Sequence, residues 1–276
     1  MNRRGRRAQE IRDALDGGEL RVAYQPVVEL HGGQLTGLEA LLRWQHPDRG
    51  LMMPNEILPV AESTGLILGI GEWVLTQACR DLQQWRQLYG SAIPHVTVNV
   101  SPFRVMASGF QTTVERVLQM TRTDPADIFL EVTESTLLED GPRANSVLQQ
   151  IKDLGVGLIL DDFGTGYSSL NYLRRFPFDL LKIDRAFTKS LESDESTRKI
   201  VAGTIDLAHV LELEVVVEGV ETARQLTQVI DLGTDRAQGY YLCPPLPADQ
   251  IKQRILETAA ETGPIRFPLP ERATGN

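Results

Sequence analysis

Residues 21–44 read RVAYQPVVELHGGQLTGLEALLRW. Two strand-like runs, 21–30 and 35–44, flank His31-Gly32-Gly33-Gln34. Gly-Gly between two such runs is a hairpin signal, because glycine takes the left-handed conformations of tight turns without steric cost. Hairpin strands are antiparallel, so a ring of eight parallel strands would be broken here. The second run also carries a carboxylate where its apolar stretch pauses: Leu38 gives way to Glu39. The same change recurs down the chain, from Val98 to Asn99, Leu130 to Glu131, Leu160 to Asp161 and Asp162, and Val217 to Glu218.

Working outward, further strand candidates lie at about 96–100, 128–132, 156–161, 179–183, 214–218 and 236–239. Helical periodicity fills the gaps at 72–88, 111–121, 143–154, 195–211, 221–231 and 248–260. Strand and helix alternating through short connections imply parallel pairing with the helices outside. The expected fold is α/β, a modified TIM (β/α)8 barrel with one antiparallel strand from the N-terminal hairpin. In such a barrel the C-terminal strand ends meet at one mouth, which would collect these acids. An open doubly wound sheet is the runner-up, but no Gly-x-Gly-x-x-Gly follows the first strand to hold a dinucleotide. The expected division is a linker and leading helix over 1–20, the barrel over 21–262 and a tail over 263–276, frayed or surface-bound.

With 276 residues, 42% of them hydrophobic, the chain is long enough for one large core. No apolar stretch approaches the roughly 18 residues of a membrane span. The basic start, Met1 to Arg7, lacks the apolar segment of a signal peptide. Two cysteines, Cys79 and Cys243, make neither a disulfide framework nor a thiolate site, which suits a reducing cytoplasm. A formal charge of −9 argues against a long nucleic acid as partner. It leaves room for a small phosphate ligand if metal ions offset the acids.

Asp161-Asp162-Phe163-Gly164-Thr165-Gly166-Tyr167-Ser168-Ser169-Leu170 is the densest segment. Alone, two adjacent aspartates read as a turn and helix cap. They could share one centre only if the chain turns out of the sheet, which Gly164 and Gly166 allow. Joined to acids and a carboxamide at other strand ends, they suggest an oxygen-rich cation site. His31, His46, His95 and His209 show no ligand spacing, so magnesium or manganese suits the donors better than zinc or copper. Lys182, inside the apolar run Leu180-Leu181-Lys182-Ile183, needs partners if buried. It either pairs structurally with Asp184 or a neighbouring strand, or steadies a water or phosphoryl oxygen. Glu218 would face the mouth, while Glu221 would favour a helix N-terminus.

The segment Leu38-Glu39-Ala40-Leu41-Leu42-Arg43-Trp44 resembles the signature of EAL domains, the bacterial cyclic di-GMP phosphodiesterases. Other motifs match in the family's order over about residues 10–255. They include Tyr24-Gln25-Pro26, His46-Pro47, Gly65-Leu66-Ile67, Asn99-Val100-Ser101, Glu131-Val132-Thr133-Glu134, the 161–170 loop, Lys182-Ile183-Asp184, Glu218-Gly219-Val220-Glu221 and Gln238-Gly239-Tyr240. The resemblance implies hydrolysis of one phosphodiester bond of cyclic di-GMP to linear pGpG. It implies two Mg2+ or Mn2+ ions about 3.5–4 Å apart, one held by Glu39, Asn99, Glu131 and Asp161, the other by Asp161, Asp162 and Glu218. Lys182 would contact the attacking water or the phosphate, Gln238 would assist, and Glu218 would be the proton acceptor. Gln25 and Arg43 would contact the ligand, and Leu41 with the Pro54 region would pack near a guanine. Glu134 would anchor the 161–169 loop.

The resemblance also implies inhibition by calcium, an upstream diguanylate-cyclase-like or sensor domain, and a homodimer. Many relatives have lost these residues and only bind the nucleotide, as silent effectors. No departure occurs here at the metal, lysine or loop positions. Ile57, where an aromatic is common, and Cys243-Pro244-Pro245 depart outside them.

Overall fold

In a computed structural model of the protein, residues 3–90, 94–139, 141–164, 170–253 and 265–269 are described. Ten strands follow in chain order: β1 (Leu20–Glu29), β2 (Leu35–His46), β3 (Gly50–Met52), β4 (His95–Val100), β5 (Ile128–Thr133), β6 (Gly157–Phe163), β7 (Leu180–Ile183), β8 (Glu214–Val217), β9 (Arg236–Ala237) and β10 (Leu246–Pro247). The Gly-Gly turn does what its residues allow. Strands β1 and β2 pair antiparallel, with Leu20 opposite Trp44 and Gln25 opposite Glu39. Gly33 turns the chain at φ 73°, where a Cβ would collide with the Phe267 carbonyl.

From β2 the ring runs parallel through β4, β5, β6, β7, β8 and β9. It closes where β9 meets β1 antiparallel, Val28 opposite Ala237. The ring therefore consists of the eight strands expected from the sequence, with β1 the antiparallel one. Two short strands were not foreseen. β3 folds back on the end of β2, and β10 pairs with β1 at Ala23 and Tyr24. Both extend the hairpin beyond the ring.

Side-chain alternation splits each strand between two cores. Outward residues such as Leu38, Val98, Leu130, Leu160, Leu181 and Val217 join the helices in the main core. Inward residues Val27, Ile159, Leu180 and Val216, with Phe129, form a separate apolar plug inside the ring. At about 1.5–3 kcal/mol for each fully buried side chain, this plug gives the barrel a dry floor.

The helices lie outside, as the periodicity indicated. Ile67–Tyr89 buries Ile70, Val74, Leu75, Cys79, Leu82 and Trp85. Phe110–Thr121, Gly141–Asp153, Glu195–Val210 and Ala223–Asp231 fall where expected within a few residues. The last of these is capped by Thr222 and Gln225 in a reciprocal box, so Glu221 precedes the cap rather than opening the helix. The helix expected over 248–260 is described at Ala248–Ile251, and 254–260 lies outside the described residues. A helix not read from the sequence, Pro54–Thr64, starts on Pro54 and contains Pro59. The leading helix spans Arg3–Asp16 and packs on it. Of the tail, Ile265 to Leu269 lies against the hairpin turn: Leu35 N–H donates to Ile265 O at 3.0 Å and Phe267 N–H to Gly33 O at 2.7 Å. Among the described residues no helix is long and apolar enough to cross a membrane.

Candidate active site

The apolar plug dictates what stands above it. Side chains two positions apart on a strand share a face. Phe129 is thus followed at the mouth by Glu131, Ile159 by Asp161, Leu180 by Lys182 and Val216 by Glu218. On the antiparallel β1 the order reverses, and Gln25 stands above Val27. Glu39, Asn99 and Gln238 complete the layer from β2, β4 and the end of β9.

Lys182, 1% exposed, is the centre of this layer. Its Nζ lies 2.8 Å from Glu131 Oε2, 3.3 Å from Glu39 Oε2, 3.8 Å from Asp161 Oδ1 and 2.5 Å from Glu218 Oε1. Asp184 is not its partner. That carboxylate accepts from Ala186 N–H at 2.8 Å and caps the helix Arg185–Ser190. Glu39 is held on both oxygens: Asn99 Nδ2 donates to Oε1 at 2.7 Å and Gln238 Nε2 to Oε2 at 2.6 Å. Gln238 Nε2 also reaches Gln25 Oε1 at 3.0 Å, and Gln25 Nε2 donates to the Cys243 carbonyl at 3.0 Å.

Electrostatics sort these acids. Burial pushes Glu39 upward, but Lys182 and the hydrogen bonds from Gln238 and Asn99 prevail and hold it below the usual range. Burial and the Glu39 charge raise Glu131 well above it. Burial, opposed by Lys182 and reinforced by Glu39, raises Asp161. Burial, then Asp161 and Asp184, pushes Asp162 up to about 6. Burial lifts Glu218 to about 8, against the pull of Lys182. Burial disfavours the Lys182 ammonium, yet Asp161, Glu131, Glu218 and Glu39 together hold its pKa well above the ordinary value.

Asp162 reaches the mouth by a route the sequence did not show. The register of β6 on β7 shifts between Leu160 and Phe163, and Asp162 itself takes φ 56°. A bulge at a non-glycine residue in the left-handed region re-aims the side chain, so the turn begins at the aspartate before Gly164. Residues 165–169 of this loop lie outside the described residues. Glu134, expected to anchor it, opens the helix Glu134–Glu139 directly after β5 and is buried. Glu218 is set by a tight approach. Gly219, at φ 69°, leaves no room for a Cβ beside Arg185, and Thr188 Oγ1 donates to the Glu218 carbonyl.

A cavity of about 660 Å³ opens beside the acids. Glu39, Asn99 and Asp162 form its polar end, and Leu41, Pro54 and Leu58 are among its apolar walls. Arg104 and Arg185, which the sequence reading did not single out, also line it. Their only signal was position, just after the strand ends at Asn99 and Lys182. Arg43 lines a neighbouring cavity of about 690 Å³ with Tyr240, Pro244 and Pro245. The structure thus gathers Gln25, Glu39, Asn99, Glu131, Asp161, Lys182, Glu218 and Gln238 at one place, with Asp162 and Leu41 beside it and Arg43 farther along β2.

The donor set suits hard divalent cations. Four carboxylates close on one ammonium with Asp162 beside them, and every candidate donor is a carboxylate or carboxamide oxygen. Burying like charges this close is costly without added positive charge. Among the described residues no three His, Cys, Asp or Glu side chains are already set around a vacant point to hold an ion. The carboxylates converge instead on Lys182.

An α/β barrel with an acid-lined mouth and one reversed strand defines the class. Within it, the chain belongs to the EAL domain family, whose description matches residues 8–245. It is 43% identical over 242 residues to the bifunctional diguanylate cyclase/cyclic di-GMP phosphodiesterase MucR of Pseudomonas aeruginosa, covering 88% of this chain and 35% of that protein. It is 38% identical over 245 residues to the cyclic di-GMP phosphodiesterase NbdA of the same organism, covering 89% of this chain and 31% of that protein. The chain therefore spans about a third of the length of these relatives. A solved structure described as the PaMucR phosphodiesterase in complex with c-di-GMP superposes with a TM-score of 0.86 at 42% identity, covering 89% of this chain and 99% of that one.

Proposed function

We propose that the chain is a metal-dependent phosphodiesterase that hydrolyses cyclic di-GMP to linear pGpG. The observation that carries this reading is the convergence of Glu39, Glu131, Asp161 and Glu218 on Lys182 Nζ within 3.8 Å. Side chains from five strands of the ring meet there, which a merely structural ion pair does not require. Membership of the EAL family and the likeness to phosphodiesterases of that name support the substrate.

In this reading Glu39, Asn99, Glu131 and Asp161 hold one Mg2+ or Mn2+, and Asp161, Asp162 and Glu218 hold a second. Such a pair polarises a phosphoryl group and lowers the pKa of bound water. The chain's own groups do the rest. Gln238 and Asn99 fix both oxygens of Glu39, so the ligand is preorganised. Lys182 supplies a buried positive charge toward the phosphoryl oxygens, and Glu218 accepts the proton of the attacking water. Water oxygen bonds to phosphorus, the P–O3′ bond breaks, and a proton passes to the leaving O3′, giving a 5′-phosphate and a 3′-hydroxyl. Gln25 and Arg43 hold the ligand, and a guanine enters the 660 Å³ cavity against Leu41 and Pro54. Glu134 anchors the loop after Asp162.

An upstream diguanylate-cyclase or sensor domain and a homodimer belong to the same reading. The helix Arg3–Asp16 would link such a domain to Pro54–Thr64, which walls the guanine cavity. The test is incubation of purified protein with cyclic di-GMP and Mg2+ or Mn2+, with Glu39→Ala as the control. Linear dinucleotide from the wild type alone supports the proposal. Binding without cleavage by folded, metal-loaded protein replaces it with a silent effector.

A further inference from the structure

Arg21 and Arg43 stand directly opposite each other in the β1–β2 register. Both belong to the face that carries Gln25 and Glu39. Like charges at directly opposed positions of an antiparallel pair destabilise it. Glu39 attracts Arg43 through space, but no acid pairs with either guanidinium at contact distance among the described residues. Arg21 Nη1 donates to the carbonyls of Gly18 and Leu20 at 2.5 and 2.7 Å, and Arg43 Nη1 to that of Leu42 at 2.8 Å. In a chain of net charge −9 with an acidic mouth, two arginines side by side without an ion-pair partner among the described residues are a local reversal of sign.

Both line the cavity of about 690 Å³, with Tyr240, Pro244 and Pro245 among its walls. Its acids are otherwise placed. Asp81 accepts from Tyr24 Oη at 2.6 Å and from Gln77 Nε2 at 2.8 Å, and Asp249 stands in the first turn of the helix Ala248–Ile251. Four residues along β2, about 13 Å at the usual rise, separate Glu39 from Arg43. The length of an arginine side chain shortens that gap. A ligand held by one phosphate among the acids therefore presents any second phosphate toward this pair. Guanidinium forks are the side chains best matched to phosphate oxygens.

We propose that Arg21 joins Arg43 in binding the phosphodiester of the cyclic dinucleotide that is not cut, making Arg21 an affinity-determining residue of this chain. The inference rests on the proposed function, since it takes a substrate with two phosphates. It also explains why a charge pair that weakens the free hairpin is tolerated: the ligand neutralises it.

The experiment compares wild type, Arg21→Ala and Arg21→Lys in three measurements. Steady-state kinetics with cyclic di-GMP in Mg2+ should show KM raised about tenfold in Arg21→Ala, the scale of one charge-assisted contact, with kcat within about twofold of wild type. Arg21→Lys should lie between them. With bis(p-nitrophenyl) phosphate, a diester holding a single phosphate, the variants should match wild type. Thermal unfolding without ligand should leave Arg21→Ala as stable as wild type or more so, since a repulsion is removed, whereas a structural role would lower its Tm. An unchanged KM for cyclic di-GMP, or an equal loss on both substrates, would overturn the inference. If wild type cleaves no cyclic di-GMP, the functional reading fails separately, and the Kd of the dinucleotide for wild type and Arg21→Ala still decides the role of Arg21.

Discussion

Lys182 and Glu131 form an ion pair at 2.8 Å between strands that are not neighbours, with side chains 2% and 1% exposed. The bond spans strand β6, which lies between them and carries Asp161. Breaking a buried pair from one side leaves an uncompensated charge and costs about 3–5 kcal/mol. Lys182→Met removes the ammonium on which four acids converge. In chelator its Tm should fall well below that of wild type, and Mg2+ should restore more of it than Mg2+ adds to wild type. Turnover should drop by two orders of magnitude or more. Thermal unfolding with and without Mg2+, beside a rate assay, checks both. Equal Mg2+ stabilisation of the two proteins would show that the lysine does not share its acids with the ion.

The raised acids set a pH dependence with a definite sign. A carboxyl whose folded pKa exceeds its unfolded value binds its proton more tightly when folded. Its contribution is complete below the unfolded pKa of about 4.3 for a glutamate and is lost as pH rises through the folded value. For Glu218 that value is about 8, so in chelator the stability it contributes declines between about pH 4.3 and 8. Asp162 adds a decline ending near pH 6. His95 acts oppositely, because burial and then Arg236 depress it to about 3, so stability falls as pH drops below about 6.5. The difference between wild type and Glu218→Gln isolates the first effect. Relative to Glu218→Gln, the ion-free wild type should lose Tm steadily from pH 5 to 8. A difference independent of pH would contradict the burial of Glu218.

The ring and most of the mouth could be read from the chain because short apolar runs ending in acids are a strong local signal, and Gly32-Gly33 marked the one reversal. What escaped has identifiable physics. Pro54–Thr64 was hidden by Pro59, an internal helix breaker by propensity, and by Met53 in place of a polar cap. Strands β3 and β10 have only three and two residues, too few for any period to show. The bulge at Asp162 depends on how β6 meets β7, a tertiary choice that composition does not record. Asp184 looked available to Lys182, but a nearby helix start claimed it first.

Gly219 fixes Glu218 through space rather than chemistry. An added Cβ would meet Arg185 Cβ at 2.5 Å and Arg185 Cα at 3.2 Å, on a backbone at φ 69°. Gly219→Ala should therefore destabilise by about 1–3 kcal/mol from strain and overpacking. Because the loop must shift, activity should fall more than stability explains, by tenfold or more at temperatures where the variant is fully folded. Denaturant unfolding and kcat measured on the same preparation test this. Wild-type kcat in a destabilised variant would mean that Glu218 need not be held so closely.

The cavity beside the acids offers a test of substrate orientation that leaves the reacting groups alone. Leu58 lines it from the helix Pro54–Thr64, as Leu41 does from β2, and is partly exposed. Leu58→Trp adds bulk to this wall while leaving Glu39, Asn99 and Asp162, its polar residues beside the acids, unchanged. If a guanine enters here, the indole competes for its space, so KM for cyclic di-GMP should rise at least fivefold. Bis(p-nitrophenyl) phosphate, lacking a purine, should be cleaved at the wild-type rate. Leu58→Ala enlarges the slot and should weaken binding more modestly, since a base keeps its other walls. Equal kinetics for all three proteins on the dinucleotide would place the base elsewhere, with the 690 Å³ cavity near Tyr240 the next slot to test.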